Sequence, residues 1–454
     1  MTSKRGTRQL IKAALLILLV LSGSVWGCAF LRPPEKFSKS GLEEIKKQIH
    51  LKGPGPITAG AAKVEITPPV GTPLAGYSKR RGKPSVGIRD PLFVRVLVLS
   101  DGEDQLVLVS ADLLLFPPPL ADSILDKTSK ELKIPRQAIV LAGTHTHSGT
   151  GSIAQGFLYE MVFGSYRPEV VEGIKGRVIW AIRQALEHQQ PVRWGIGRRD
   201  NLLWGLVENR VDVVDGLDPG VAVLLVESMQ GQPVAILTNA AAHPTLMDSK
   251  DFRFSADYPG ELCRVVETAY PGVVCLFVNG TAGDLRPRDD IGSTPEERIS
   301  RFGQALAEGV TGMVNQLSPK ANGDLAAWGW RIPLPPTQLQ LGPIPIHPGV
   351  GQLIRPGTSD LHLLALDHLI FVPLFAEMTT VLGQNLRLKL VAQGLEPILI
   401  GYADGYLGYA VTPSQWDRGT YEAHMTWYGP TFGFYLIEKI QELADLYSPK
   451  ESKK

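Results

Sequence analysis

Apolar and polar residues alternate along much of the chain in ways that predict strands and helices in mixed order. Residues 59–66 alternate with the period of a strand and stop at a Thr-Pro-Pro turn. Residues 93–100 and 105–110 are apolar runs on either side of Asp101-Gly102, which indicates a β-hairpin. The pattern further predicts helices over 120–132, 168–188, 257–269, 294–313 and 431–447, and strands over 138–142, 221–226, 233–238, 273–278, 361–366 and 369–372.

Strands interleaved with helices, with hairpins among them, predict an α/β fold of mixed β-sheets flanked by helices. We assign residues 57–449 to one large catalytic domain. Residues 328–357 are dense in Pro and Gly and lack periodicity, so we predict a long surface loop over that domain. Residues 41–50 carry a short helical pattern within a tether that spans 28–56.

The first 27 residues have a basic start and an apolar core too short to cross a membrane as a mature helix. This pattern predicts a secretory signal. Val25-Trp26-Gly27-Cys28 resembles a bacterial lipoprotein cleavage box in which Cys28 is lipidated. We therefore expect an exported, cell-envelope protein tethered to a membrane surface, with ordinary signal cleavage or an uncleaved anchor as the alternatives. Residues 450–454 form a charged tail.

Composition and charge exclude some classes of partner. The chain is 44% hydrophobic and 20% charged, an ordinary globular balance, and its formal net charge is +1. Nothing in this balance suggests a nucleic-acid partner, and the sequence identifies no protein partner. Apart from Cys28, the cysteines are Cys263 and Cys275. They could pair in an exported protein, although Cys275 lies in an apolar run where a buried free thiol is as plausible.

The strand predicted over residues 138–142 breaks at Gly143 and is followed by two histidines, His145 and His147. Residues two apart in an extended chain point to the same side, so both imidazoles can face one cleft. The ends of strands in α/β sheets are also where catalytic groups collect. The alternative is a pair of surface histidines in a loop.

Two further strands end in residues that can bind a metal. The strand over 233–238 leads through small residues to His243, and an apolar run over 369–376 leads directly to Glu377. A carboxylate after such a run is costly to bury unless it is paired or metal-bound. The alternatives are a structural histidine and a glutamate at a helix N-terminus. A fourth strand end, over 398–413, carries three tyrosines among glycines.

Histidines and a glutamate on separate strand ends match the ligand set of a catalytic zinc ion, which keeps one position open for water. Zinc lowers the pKa of its water to about 7, and the resulting zinc-bound hydroxide can attack a carbonyl carbon. The chain has no helical His-Glu-x-x-His motif. The site would therefore be assembled from distant segments, which spacing alone does not establish.

Several strings along the chain resemble the neutral/alkaline non-lysosomal ceramidases, and their order fits as well. The likeness covers residues 57–447. Two of the strings are specific, namely the one that begins at Gly143 and the one that runs from Phe277 to Asp284. The strings are Gly143-Thr-His-Thr-His-Ser-Gly149, Ala242-His-Pro-Thr245, Phe277-Val-Asn-Gly-Thr-Ala-Gly-Asp284, Ala376-Glu-Met-Thr-Thr380 and Gly408-Tyr-Ala-Val-Thr-Pro413.

The resemblance implies a zinc enzyme that hydrolyses the amide of N-acylsphingosine. By this likeness, the zinc ligands are His145, His243, Glu377 and Tyr409. His147 corresponds to the histidine that stabilises the oxyanion of the tetrahedral intermediate. Arg210 corresponds to an active-site arginine, although Val follows it where the family usually has Ser.

The chain departs from the family pattern in two ways, and both bear on substrate specificity rather than on metal chemistry. The family's full-length members carry a C-terminal immunoglobulin-like domain, and this chain stops where that domain would begin. Leu285-Arg-Pro-Arg288 also replaces the usual small polar residues. We therefore expect a zinc amidohydrolase that acts on ceramide or a related N-acyl lipid and releases a fatty acid and a sphingoid base. The alternatives are an esterase or deacylase for another acyl amide, and a catalytically silent lipid- or glycan-binding lipoprotein. A second metal ion such as Mg²⁺ or Ca²⁺ is left open.

Overall fold

A computed structural model of the chain describes residues 54–341 and 355–447, with short pieces at 43–48, 344–345 and 351. The predicted signal segment, Cys28 and the charged tail lie outside these residues. The strands are β1 (Glu43–Gln48), β2 (Gly55–Pro56), β3 (Thr58–Glu65), β4 (Gly87–Ile88), β5 (Phe93–Ser100), β6 (Gln105–Ala111), β7 (Ile139–Gly143), β8 (Gln190–Arg199), β9 (Val207–Asn209), β10 (Val221–Ser228), β11 (Pro233–Ala240), β12 (Arg253–Phe254), β13 (Val274–Asn279), β14 (Leu285–Pro287), β15 (Asn322–Gly323), β16 (Leu325–Pro333), β17 (Gln340–Leu341), β18 (Ile344–Pro345), β19 (Thr358–Leu366), β20 (Leu369–Pro373), β21 (Glu377–Met378), β22 (Glu396–Ile400) and β23 (Tyr409–Ala410).

The helices fall close to their predicted positions. The predictions over 120–132, 168–188, 257–269, 294–313 and 431–447 are confirmed, each within a few residues at its ends. The α-helices are α1 (Pro118–Leu132), α2 (Phe157–Phe163), α3 (Pro168–Glu187), α4 (Asp257–Ala269), α5 (Pro295–Val314), α6 (Thr380–Ala392), α7 (Pro413–Asp417), α8 (Tyr421–His424) and α9 (Phe432–Ala444).

Two mixed sheets carry most of the fold, and the predicted α/β class is confirmed. One has eight strands in the order β13-β11-β10-β8-β3-β5-β6-β7, and the other has five in the order β1-β16-β19-β20-β22. The predicted hairpin forms between β5 and β6, and β10 pairs with β11 in the same antiparallel way. Parallel pairs occur only toward the edges of these sheets, as β6 with β7, β11 with β13 and β20 with β22.

The alternation of side chains divides the core into layers. In β10, Val223 and Leu225 pack with residues of α4 and α5, whereas Leu224 points into a different cluster. In β19, Leu363 packs with residues of α6 and α9, whereas Leu364 joins the same cluster as Leu224. Both sheets thus bury one face against helices and share a core on the other, which is why their strands are apolar on both faces.

The eight-stranded sheet curls so that its two edges approach each other. Ser110 in β6 donates a hydrogen bond to the carbonyl of Phe277 in β13 at 2.6 Å. The segment after β22 lies between the edges. Gly401 N donates to Asn279 O of β13 at 2.8 Å, while Ala403 forms a bridge with Ala142 of β7. The ends of β7, β11 and β22 are therefore brought to one place.

Two predictions were wrong. Residues 43–48 form a strand, β1, that pairs antiparallel with β16, where we expected a helix. A neighbouring strand supplies the backbone hydrogen bonds there, and tertiary pairing of this kind overrides local helical preference. The predicted loop over 328–357 instead begins with the second half of β16, which reaches Pro333 and pairs with β19. Part of the remaining segment lies outside the described residues.

Both remaining cysteines are free thiols. Cys263 in α4 and Cys275 in β13 are buried, and the Cys263 thiol lies 3.1 Å from the carbonyl oxygen of Cys275. The sequence leaves open a disulfide or buried free thiols for Cys263 and Cys275, and the structure shows buried free thiols. Within the described part of the chain, no helix combines the length and apolar character needed to cross a bilayer.

Candidate metal centre

His145 lies just beyond the end of β7, in a turn and not in an extended strand. Its φ is +69°, a left-handed conformation that is costly for a residue with a side chain. Its backbone N–H donates to Leu113 O at 3.0 Å, and its Nδ1 lies 2.8 Å from Leu114 O. The carbonyl fixes the proton on Nδ1, so the Nε2 lone pair faces the space between the sheet edges.

His243 follows β11 and is held in the same way. Its backbone N–H donates to Leu285 O at 3.0 Å, and its Nδ1 lies 2.7 Å from Ala282 O. The Nε2 atoms of His145 and His243 are 3.1 Å apart. Because both Nδ1 atoms carry the proton, these two Nε2 atoms are acceptors and cannot form a hydrogen bond with each other. Two acceptor atoms that face each other at this distance could hold a shared cation.

Glu377, the first residue of β21, completes the convergence. Its Oε2 lies 3.6 Å from His145 Nε2 and 3.4 Å from His243 Nε2, and it has no hydrogen-bond partner although it is buried. Its Oε1 accepts a hydrogen bond from the Tyr406 hydroxyl at 2.6 Å. Ligand atoms bonded at about 2.0–2.1 Å in a tetrahedron lie roughly 3.3 Å apart. The spacing of these three atoms fits one metal ion.

His147 reaches the same cluster from two residues further along. Its Nε2 is 3.3 Å from His145 Nε2, and the three histidines form a group whose ligand atoms lie within 4.8 Å of one another. Unlike the other two, its Nδ1 has no hydrogen-bond partner. The predicted proximity of His145 and His147 is thus found, although the reason differs, because the left-handed turn and not strand geometry brings the rings together.

Burial shifts the pKa values of several groups in the cluster. Burial lowers the pKa of His145 to about 3, opposed in part by the charge of Glu377, and it lowers the pKa of His147 well below its ordinary value. Burial alone would raise the pKa of Glu377, but attraction to His145 and His243 outweighs it and lowers that pKa. Neutral imidazoles and an ionised carboxylate are the forms that bind metal.

Arg210 and Tyr409 lie beside this cluster and contact each other. Arg210 Nη2 donates to the Tyr409 hydroxyl at 3.0 Å and to Gly283 O at 2.8 Å, while its Nε lies 3.0 Å from Glu422 Oε1. Tyr409 in β23 pairs directly with Glu377 in β21. The sequence-predicted residues His145, His147, His243, Glu377, Arg210 and Tyr409 are therefore all brought together.

Asp284, the last residue of the Asn-Gly-Thr-Ala-Gly-Asp string, connects these elements. It is buried, and its Oδ1 accepts from both the backbone and the hydroxyl of Thr380. Its Oδ2 accepts from Asn209 at 3.1 Å, and its carbonyl accepts from Arg210 N at 2.8 Å. The carboxylate thus ties the loop of Arg210 to the segment of Glu377.

Two tyrosines that we did not predict as individual site residues support the metal ligands. The Tyr402 ring stacks on His145 at 3.6 Å between centroids and 13° between planes. Tyr406 holds Glu377, as described above. The fourth strand end, with its tyrosines among glycines, was the sequence signal for both. Nothing in its spacing indicated which of the tyrosines would touch a ligand.

Arg80 is a further residue that the sequence did not reveal. Its guanidinium is buried and donates to Ala75 O at 3.0 Å, to Asp248 O at 3.2 Å and to His147 O. Gly76 passes so close to His147 that an added Cβ would lie 2.6 Å from its Cα. The loop after β3 is therefore fitted tightly against the histidine turn.

A cavity of about 480 Å³ opens onto the cluster and gives a substrate access to it. His147, His243, Arg210 and Tyr409 form its inner wall. Its outer rim is polar and carries charges of both signs. The charged rim residues are Lys79, Asp248, Asp289 and Arg298.

Comparison with known proteins identifies the family. The family model for the N-terminal part of neutral/alkaline non-lysosomal ceramidases matches residues 58–290. The neutral ceramidase of Pseudomonas aeruginosa is 22% identical over 470 aligned residues, which cover 83% of this chain and 70% of that protein. Neutral ceramidase A of Dictyostelium discoideum is 22% identical over 309 residues, 62% of this chain and 43% of its own length.

The fold agrees with a solved structure of this kind. The crystal structure of the Pseudomonas aeruginosa neutral ceramidase superposes with a TM-score of 0.74 at 21% sequence identity, over 88% of this chain and 76% of that one. At this identity the superposition establishes the fold alone, whereas the family model spans more than half of the chain. The chain belongs to the neutral/alkaline non-lysosomal ceramidase family.

Proposed function

We propose that the protein is a zinc-dependent amidohydrolase that cleaves the N-acyl amide of ceramide or a related N-acyl lipid. The observation that carries this proposal is the convergence of His145 Nε2, His243 Nε2 and the unpaired Glu377 Oε2 in a buried site. Membership of the family supports ceramide as the substrate class, since the relatives are named for that activity.

His145, His243 and Glu377 would hold the ion, and Tyr409 would complete the set, as the family likeness implies. When bound, zinc supplies Lewis acidity, which polarises the amide carbonyl and lowers the pKa of a water molecule. Both histidines already have their outer nitrogens bonded to backbone carbonyls, and Glu377 is bonded by Tyr406. Such outer contacts orient ligands and strengthen metal binding.

His147 would stabilise the oxyanion. Its Nδ1 has no carbonyl to fix the proton there, so the ring can carry its proton on Nε2, which faces the cluster. That N–H would donate to the carbonyl oxygen as negative charge develops on it, an interaction typically worth several kcal/mol in the transition state. Arg210 would keep the Tyr409 hydroxyl in place through the 3.0 Å hydrogen bond.

Hydrolysis needs two proton movements beside the addition of water. Water adds to the amide carbon, the C–N bond then breaks, and the leaving nitrogen departs as an amine only after it gains a proton. Glu377, or another group of the ligand set, would accept the proton of the water, and that proton would then pass to the leaving nitrogen. The half-buried His147 lies on the side open to the cavity. The products are a fatty acid and an amine.

A second candidate is a deacylase for a different acyl amide. The observation that favours it is the polar rim of the 480 Å³ cavity, where Lys79, Asp248, Asp289 and Arg298 would surround the part of the substrate outside the site. Charges of both signs suit a polar or zwitterionic head group. A catalytically silent binding protein is the weaker alternative, because binding alone gives no reason to bury a set of metal ligands.

The test combines metal analysis with substrate profiling. Purified protein should contain about one zinc per chain and release fatty acid from ceramides, and His243→Ala should lose both. The panel should include an N-acyl amino acid and a matched fatty ester. Release from the N-acyl amino acid alone would favour the deacylase. Absence of zinc, or no release from any amide, would rule out the proposed function.

We also propose that the protein acts at the cell envelope, attached through a lipid on Cys28. The signal-like start and the Val-Trp-Gly-Cys box support this location. A substrate with long apolar chains resides in membranes, so an anchor would keep the enzyme close to it.

A further inference from the structure

A second cavity, larger than the one at the metal centre, is lined in part by the loop after β22. Its volume is about 780 Å³, within the range of small-molecule sites. Tyr406 and Phe375 form part of its wall, together with Leu125 of α1 and Leu407. Tyr406 also donates a hydrogen bond to Glu377, so this side chain contacts both the cavity and a candidate metal ligand.

The polar groups at the base of this cavity are an unpaired histidine and aspartate. His362 Nε2 and Asp404 Oδ2 are 3.5 Å apart, and the two side chains are 7% and 8% exposed. Neither atom has a hydrogen-bond partner. More than nine-tenths of each side chain is buried, so leaving these atoms unpaired is costly unless something occupies the space beside them.

At pH 8, where Asp404 is ionised, both unpaired atoms are acceptors. The His362 ring donates a hydrogen bond to the backbone of Ile139, so the remaining nitrogen, Nε2, carries a lone pair in the neutral ring. Asp404 Oδ1 accepts from Leu141 N at 2.8 Å, which leaves Oδ2 as the unpaired oxygen. A group that bridges them must therefore donate at least two hydrogen bonds.

The negative charge of an ionised Asp404, at the bottom of the cavity, is also not neutralised by direct contact with an arginine among the residues that the structure describes. Arg136 at the mouth donates to Asp122, and Arg331 donates to Asp360 at 2.8 Å. These arginines are thus paired with carboxylates at the mouth. An ionised Asp404 at the base would favour a ligand that carries a positive charge.

From these contacts we infer that the cavity binds a primary ammonium group carried on a short apolar chain. The ammonium has three N–H donors, enough to bond His362 Nε2 and Asp404 Oδ2 together, and its charge neutralises the carboxylate. The chain would pack on Leu125, Phe375 and Leu407. This inference does not rest on the proposed hydrolysis, because binding is measured without turnover.

Calorimetric titration of the intact, metal-containing protein with hexylammonium at pH 8 tests the site. We expect saturable binding to one site, with hexanol bound at least tenfold more weakly and hexanoate not bound. Asp404→Asn keeps an oxygen for Leu141 N but places a donor group at the open position. It should therefore weaken hexylammonium binding at least tenfold.

Two further variants separate the site from general effects. Asp122→Asn removes one carboxylate at the exposed mouth and should leave affinity within about threefold. Thr358→Trp places a bulky ring on the exposed rim without touching the polar pair and should weaken binding if the ligand enters this cavity. Circular dichroism and zinc content establish that each variant is folded.

Three results would overturn the inference. They are no saturable binding of hexylammonium to the folded protein, equal affinity in Asp404→Asn and the unmodified chain, and equal binding of hexanoate and hexylammonium. None of these results depends on whether ceramide is hydrolysed. Loss of amide hydrolysis with hexylammonium binding intact would count against the proposed function and leave this site standing.

Discussion

The buried Arg80 guanidinium donates a hydrogen bond to the backbone carbonyl of His147. It also bonds Ala75 O and Asp248 O, and within the described part of the chain none of its hydrogen bonds goes to a carboxylate. Burial lowers its pKa to about 10, so it remains charged at neutral pH. One cation thus joins three loops around the cavity, including the turn that carries His147.

Arg80→Lys should therefore impair catalysis more than metal binding. Lysine keeps the charge but cannot bond three segments in a plane. We expect kcat to fall on the order of tenfold to a hundredfold, as for a small misplacement of a catalytic group, with zinc content unchanged. The exposed neighbour provides a control, since Arg81→Lys should be neutral. Equal effects of both substitutions would contradict the positioning role.

His145→Ala and His147→Ala should have different effects although the residues are two apart. The first should lose zinc and activity together. The second should keep zinc and substrate affinity and lose roughly 10²–10³ in turnover, as for removal of one oxyanion donor. Metal analysis and steady-state kinetics measure both. If His147→Ala loses the metal, His147 is a third nitrogen ligand, which its 3.3 Å distance to His145 also permits.

Tyr406→Phe should weaken zinc binding by about 10- to 100-fold, the usual cost of losing an outer partner of a ligand. It removes the hydroxyl that donates to Glu377 Oε1 at 2.6 Å. Tyr402→Phe is the matched control. Its ring stacks on His145, but its buried hydroxyl has no hydrogen-bond partner, so affinity should change less than twofold. Competition with a chromophoric chelator measures both, and equal losses would refute the role of the Tyr406 hydroxyl.

Asp404→Asn should stabilise the protein at pH 8. Burial raises the pKa of Asp404 to about 7, so the folded state binds its proton more tightly than the unfolded state does. The favourable contribution of protonated Asp404 is present at low pH and is lost as pH rises through about 7. An amide cannot ionise and avoids that loss, on the order of 1.4 kcal/mol per unit of pKa difference.

Urea unfolding of Asp404→Asn and the unmodified protein at pH 4.5, 6 and 8 measures this effect. The stability difference should be greatest at pH 8 and shrink toward pH 4.5. The lowered pKa of the neighbouring His362, about 4 through burial, acts in the opposite direction at acidic pH. Both proteins contain His362, so comparing their stabilities at the same pH largely cancels the contribution of His362. A difference that does not vary with pH would show that Asp404 does not titrate in this range.

Cys28→Ser should move the protein from membranes to the soluble fraction if Cys28 carries the lipid. Stable attachment needs more than one acyl chain or a second anchoring signal, so loss of the lipidated residue should suffice for release. Fractionation followed by immunodetection measures the shift. Unchanged membrane association would favour the uncleaved anchor.

Much of the fold follows from periodicity, because most strands and helices bury a face that the pattern of apolar residues marks. The hairpin of β5 and β6 and the helices α3 and α4 are examples. The strand over 43–48 could not be predicted in this way. Its conformation depends on hydrogen bonds to β16, which lies far away in the sequence and leaves no trace in the local pattern.

The candidate site was predictable in its residue types but not in its geometry. Histidines and a glutamate after apolar runs were visible, whereas the left-handed turn at His145 is set by bonds to Leu113 and Leu114. Arg80 lies in a run of basic residues that resembles a solvated loop. Its burial follows from three carbonyls that only the folded chain brings together.

The loop between β22 and β23 has a consequence for how the protein is made. It covers both β7 and β13, and the segments around it supply Glu377 and Tyr409. A ribosome releases these residues after β7 and β13, so the nascent chain must carry two uncovered strand edges until residues 401–403 emerge. Such edges pair readily with other chains. Truncation before Glu377 should therefore yield aggregates, and a chaperone would be needed longest during this interval.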